Sequence, residues 1–188
     1  MTAIPCTLFA AALGYAVIRY HLCKGVPWAE FPLYTVNKAF ALAGLALVCA
    51  ALVQLRRGRT PSLAGWAAAF MAIHVVVSLS ILEPGTFPKY FADGRLTMAA
   101  RWSWLAGVVA APLLWIVGRG CTRPGGAARK RLGAAGLITG VHAALLGAGG
   151  WFTPSGWPGG MLPITLLAAL LAVAAALLAA LSDRRSAP

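Results

Sequence analysis

Long apolar runs, broken by short cationic or proline- and glycine-rich segments, set the rhythm of this chain. Six runs stand out: Ile4–Leu22, Val36–Leu55, Leu63–Leu82, Arg101–Val117, Leu132–Gly149 and Leu162–Leu181. Each is roughly 17 to 20 residues long, enough for a helix to cross about 30 Å of hydrocarbon. The separators carry the residues that end helices: GVP and FP before the second run, RTPS before the third, EPG and FPK after it. TRPGG precedes the fifth run and TPSGWPGG divides the last two. The pattern predicts an all-α, polytopic membrane protein, a bundle of six transmembrane helices forming a single domain over residues 1–188.

Composition points the same way. The chain has 188 residues, of which 60% are hydrophobic and only 11% charged, too little polar surface for a water-soluble domain of this size. The N-terminal stretch MTAIPCTLFAAALGYAVIRYHL lacks the cationic start of a cleaved signal peptide and is expected to be the first span. A net charge of +12 suggests nucleic-acid binding until the positions of the cations are considered. They sit between apolar runs, where membrane topology places them, so a nucleic-acid partner is not expected and lipid is.

Charge also predicts orientation. Arg56, Arg57 and Arg59 follow the second run, Arg119, Arg123, Arg129, Lys130 and Arg131 lie between the fourth and fifth, and Arg184 and Arg185 stand against Asp183 in the tail. These segments alternate correctly to share one side, which places them and both termini in the cytoplasm. The opposite side holds Arg19, Lys24, Lys38, Lys89, Arg95 and Arg101, with Glu30, Glu83 and Asp93. It also holds Trp28, Tyr34, Phe87, Tyr90, Trp102, Trp104, Trp151 and Trp157. Most of these are ordinary interface anchors, yet their number on one side predicts ordered outer loops. The four cysteines, Cys6, Cys23, Cys49 and Cys121, show neither C-x-x-C nor metal-ligand spacing. Cys6 and Cys49 read as small intramembrane hydrophobes and the other two as loop residues.

Candidate chemistry rests on histidine. His74 lies eleven residues after Leu63, and His142 ten after Leu132. Both helices are expected to start in the cytoplasm, so the two rings share a depth, roughly 15–17 Å from the inner boundary and near the midplane. An ionisable side chain there is a functional hypothesis by default. Two at equal depth on parallel helices suit a haem with two axial histidines. Zinc would want four ligands, and no Cys, Asp or Glu lies at this depth. Small apolar neighbours surround both: Ala67, Phe70 and Met71 with Val77 and Ser78 on the third run, and Ala135, Ile138 and Thr139 with Leu145, Leu146 and Gly149 on the fifth. Ser78 or Thr139 is a candidate to orient a ligand ring, as is any backbone carbonyl. Gly136 and Gly140 form a G-x-x-x-G that packing alone explains. The plainer reading of the pair is two interhelical hydrogen bonds with no cofactor. His21, near the outer end of the first run, reads as an interfacial histidine, with a role beside the pocket as the alternative.

Six spans with histidines on the third and fifth resemble the ferric reductase-like transmembrane domain superfamily. It includes metalloreductases, NADPH oxidase membrane domains and the haem subunit of the bacterial methionine sulfoxide reductase system. The resemblance runs from TVNKAFALAG to GGMLPITLL, through SLAGWAAAFMAIHVVVSLSIL, TFPKYFADGRLTMAARWSWLAG and RKRLGAAGLITGVH…GGWFTPSGWPGG. It implies that His74 and His142 are axial ligands of a b-type haem, that electrons pass from the inner to the outer side, and that the protein resides in a bacterial inner membrane. Two-haem members repeat each histidine about thirteen or fourteen residues along. Those places here hold Pro61 and Phe87 or Pro88, and Arg129 and Gly156, so one bis-histidine haem is expected. Nothing resembles the flavin and nicotinamide domain of larger members.

The expected function is transmembrane electron transfer as the membrane subunit of an oxidoreductase, with donor and acceptor outside the chain. The cationic Arg119–Arg131 loop suits an acidic cytosolic flavoprotein, and a quinol in the bilayer is an equal alternative as donor. Arg95 and Arg101, with Lys89, are candidates to pair the haem propionates, against a plainer role as loop charges. An oligomer is compatible with all of this. The rival class is a haem-free scaffold or small-solute or proton transporter with His74 and His142 as interhelical polar groups. A thiol-oxidising role suffers from the lack of paired outer cysteines, since only Cys23 is placed outside.

Overall fold

A computed structural model describes residues 3–120 and 126–181. Six long helices carry the fold: α1 (Ala3–Val17), α2 (Val36–Arg56), α3 (Leu63–Ser80), α4 (Met98–Gly120), α5 (Gly126–Gly147) and α6 (Ile164–Ala180). About 82% of the chain is helical, and with their flanking turns all six helices are long and apolar enough to cross a membrane. Bulky apolar side chains such as Val76, Val108, Ile116, Leu170 and Val173 face outward, which water would penalise and lipid tails would not. Cys121, Arg123, Asp183, Arg184 and Arg185 lie outside the described residues.

The helix limits differ from the hydropathy pattern where polar residues join a helix. α5 begins at Gly126, so Arg129, Lys130 and Arg131 form part of its first turns, and α4 begins at Met98, three residues before Arg101. Long cationic side chains extend from a helix end to polar surroundings without breaking its backbone ladder. α1 continues through a wider π-type segment, Ile18–Cys23, and Phe31–Thr35 leads into α2 in the same way. Among the described residues the one non-helical element is a miniature hairpin, β1 (Phe91–Ala92) with β2 (Arg95–Leu96), in the loop before α4. Asp93 and Gly94 turn it with φ of 50° and 70°, the left-handed pair that an Asp-Gly hairpin turn requires.

α2 is the hub. It packs against α1, α3, α5 and α6, while α3 packs on α4, α4 on α5, and α5 on α6. Helices α2 to α5 thus close a ring of four in which α3 and α5 occupy opposite corners and do not pack along each other. The centre of α2 is sealed by Leu45, Leu47, Val48 and Leu52, all fully buried. Phe9, Phe40 and Phe70 lock α1, α2 and α3 together with ring centres 4.5 to 5.7 Å apart. On the far side, Gly133, Gly136, Gly140 and Gly147 of α5 lie against Ala179, Ala175, Ala172 and Thr165 of α6. The G-x-x-x-G therefore serves helix packing, since a side chain at those glycines would collide with α6.

Candidate functional site

Two histidines project from the opposite corners of the four-helix ring, His74 from α3 and His142 from α5. Each is held by the helix beside it. Asn37, fully buried in the first turn of α2, accepts a hydrogen bond from His74 Nδ1 through its Oδ1 at 2.7 Å. The Asn37 amide nitrogen donates to Ser78 Oγ at 2.9 Å, and Ser78 lies 3.4 Å from the same His74 nitrogen. Asn37 is thus fixed by α3 on both ends of its amide.

His142 is held by α4. Its Nδ1 donates to the Ser103 carbonyl at 2.7 Å, and Ser103 Oγ returns a bond to the His142 carbonyl at 2.9 Å. The Ser103 hydroxyl also lies 3.1 Å from Nδ1. One turn further along α4, Gly107 leaves room for the ring: a Cβ there would stand 3.2 Å from Nδ1. Tyr90, in the loop before α4, has its phenol pushed above the usual tyrosine range by burial, with its hydrogen bond to Ser103 acting in the opposite sense.

These partners fix the protonation pattern. Carbonyl oxygens only accept, so Nδ1 carries the proton in both rings and Nε2 carries a lone pair. Neither Nε2 has a hydrogen-bond partner among the described residues. The two nitrogens of an imidazole point in widely different directions, so tying Nδ1 back to α2 or α4 turns Nε2 away from that helix. The ring centres are 6.4 Å apart and the planes cross at 80°. A metal bound axially by two imidazoles, with bonds of about 2 Å and each ring centre roughly 1.1 Å behind its nitrogen, separates the centres by roughly 6.3 Å. Rings on one axis are free to take any mutual rotation, so the crossing angle fits as well. Among the described residues no group of three or more His, Cys, Asp or Glu gathers to hold a metal. A metal here would need its remaining ligands from a prosthetic group, as a porphyrin supplies.

The pair shares a height in the bundle. His74 stands six residues before the end of α3 and His142 five before the end of α5, roughly 8–9 Å by helix rise. α3 begins at Leu63, as the hydropathy pattern has it, whereas α5 begins before Leu132, at Gly126.

Other candidates fall elsewhere. His21 is buried with both nitrogens engaged, Nδ1 with the Val26 carbonyl and Nε2 with Thr35 Oγ1, each at 2.8 Å, and it stacks on Trp28 at 4.4 Å. It is a structural tie, with no free lone pair. Thr139 donates to the Ala135 carbonyl of its own helix, so of the two hydroxyls considered only Ser78 reaches a ring. Arg95 lies exposed in β2, and the exposed Arg101 donates to the Leu96 carbonyl through Nε. No hydrogen bond joins Arg95, Arg101 or Lys89 to the histidines. Cys6 and Cys23 are exposed free thiols, and the Cys49 thiol donates to the Leu171 carbonyl. The connection between α5 and α6 is tied down by tryptophan: Trp151 Nε1 donates to Thr165 Oγ1 and Trp157 Nε1 to the Gly150 carbonyl. Asn37, Ser103 and Gly107 escaped the sequence reading. An asparagine at the start of an apolar run is a weak signal, though a buried amide always needs partners.

Comparison with known proteins matches no family model and no curated protein.

Proposed function

We propose that this chain is an integral protein of a bacterial inner membrane, with both termini cytoplasmic, that passes electrons across the bilayer through one b-type haem. His74 and His142 would hold the iron. One observation carries the reading: two imidazoles in one tautomer, each with an unpartnered Nε2, lie at the separation of a doubly coordinated metal. The diagonal placement of α3 and α5 adds to it, because a flat ring needs two helices that do not pack together. When bound, such a group supplies a one-electron couple in a low-dielectric site.

The protein's own residues set that couple. Asn37 and the Ser103 carbonyl draw on the Nδ1 protons, which strengthens Nε2 as a donor and fixes both ring orientations. Gly107 lets His142 lie against α4. The resemblance to ferric reductase-like proteins suggests a membrane subunit served by a separate donor, a flavoprotein or a quinol, and a separate acceptor.

The test is an absorption spectrum of the purified protein from haem-replete cells. A Soret band with sharp reduced bands is expected, lost in both His74→Ala and His142→Ala. A colourless preparation, or a band indifferent to both substitutions, would sink the reading and favour the scaffold or transporter class.

A further inference from the structure

Lys38 follows Asn37 in the first turn of α2 and is half-buried. Its ammonium stands 4.9 Å from the ring centres of both Tyr34 and Phe87. An aromatic pair holds a cation in place without neutralising it. Lys38 has no carboxylate partner among the described residues, and the one charge that reaches it is another cation, Lys24, itself against the Tyr20 ring. Tyr20 and Tyr34 meet edge to face at 5.3 Å, so the two cations flank one aromatic cluster. The nearby carboxylate, Glu30, is exposed and acts on Tyr34. A half-buried cation held by aromatic faces gains from an anion brought beside it. Lys38 adjoins the histidine pair on two sides: Asn37, the residue before it, accepts from His74 Nδ1 at 2.7 Å, and Phe87, one of its two rings, packs at 5.4 Å on Tyr90 beside Ser103.

We infer that Lys38 anchors a carboxylate of the porphyrin proposed for the His74–His142 pair. The inference rests on that reading. It assigns to α2 the role that sequence alone gave to Arg95 and Arg101, both of which lie on the exposed hairpin side. The porphyrin carries its two carboxylates on one edge. Anchoring that edge at Lys38 sets the ring's rotation about the His74–His142 axis, while the aromatic pair keeps the ammonium aimed.

The experiment compares iron protoporphyrin IX with its dimethyl ester, titrated into the full-length apoprotein from haem-deficient cells. The wild type should bind the diacid on the order of tenfold more tightly, the worth of a part-buried ion pair. Lys38→Met should bind diacid and ester alike, with the loss confined to the diacid, and Lys38→Arg should keep most of the preference. Equal affinity of the wild type for both porphyrins would mean that Lys38 serves another anion, such as a small carboxylate substrate, and overturns the assignment. So would a Lys38→Met protein that weakens both equally or retains the preference. A Soret band that depends on the histidines but is indifferent to Lys38 overturns this inference alone. Binding of neither porphyrin in a histidine-dependent way overturns the proposed function with it.

Discussion

Asn37→Leu tests the site where its chemistry and its packing meet. The substitution keeps the approximate volume and removes the acceptor 2.7 Å from His74 Nδ1 together with the donor to Ser78. Ser78 can recover, because its hydroxyl can turn to a carbonyl one turn back on its own helix. The His74 Nδ1 proton recovers only in part: Ser78 Oγ, already 3.4 Å away, is the remaining acceptor. A buried donor left short costs about 1–3 kcal/mol, and losing such a partner typically weakens metal binding about 10- to 100-fold. With Ser78 as substitute, Asn37→Leu should fall near tenfold, and Asn37→Leu with Ser78→Ala nearer a hundredfold. His74 also becomes a weaker donor, which disfavours ferric iron more than ferrous. The midpoint potential should therefore rise, by about 59 mV for each tenfold bias between the oxidation states. Haem dissociation to an apoprotein acceptor and a spectroelectrochemical titration measure the two effects. A variant with wild-type dissociation and midpoint would refute the claim that α2 orients His74.

Three further outcomes follow from the same geometry. Gly107→Val places a branched side chain where even a Cβ stands 3.2 Å from His142 Nδ1. Haem affinity should drop about fivefold or more, the equivalent of the 1 kcal/mol or more that overpacking costs, and unchanged pigment analysis would count against the ring position. His21→Ala removes two 2.8 Å hydrogen bonds and a stacked ring, so thermal unfolding in detergent should move down by the equivalent of about 1–3 kcal/mol. Its Soret band should be untouched, and a bleached protein would show that His21 belongs to the site. Gly140→Leu drives a side chain into Ala172 of α6, which should destabilise the fold by about 1–3 kcal/mol or more, read as a lower melting midpoint. An unshifted melt would contradict the close α5–α6 approach.

Much of this was legible along the chain. Six runs of membrane length predicted six helices because hydropathy is a local property and every backbone group within hydrocarbon must be satisfied inside its own helix. The histidine spacing brought His74 and His142 to one depth for the same reason: helix rise converts residue count into height. The start of α5 was misplaced, because a hydropathy pattern stops at Arg131 whereas a helix carries cations in its first turns. The Asp93-Gly94 turn was written in its dipeptide, and small residues on α5 marked a packing face without naming α6 as its partner.

Sequence by itself thus determined the type and number of the long elements and, to within a turn or two, where each lies. Which ring nitrogen keeps its lone pair depended on Asn37 and Ser103, 37 and 39 residues away along the chain. That Lys38 sits between Tyr34 and Phe87, next to the residue that holds His74, depended on how α2 packs in the bundle. Helix formation follows from neighbours four residues apart, whereas a helix's rotation about its axis and its choice of partners emerge only when all its faces are packed together. The chemistry of the site belongs to that second kind of information.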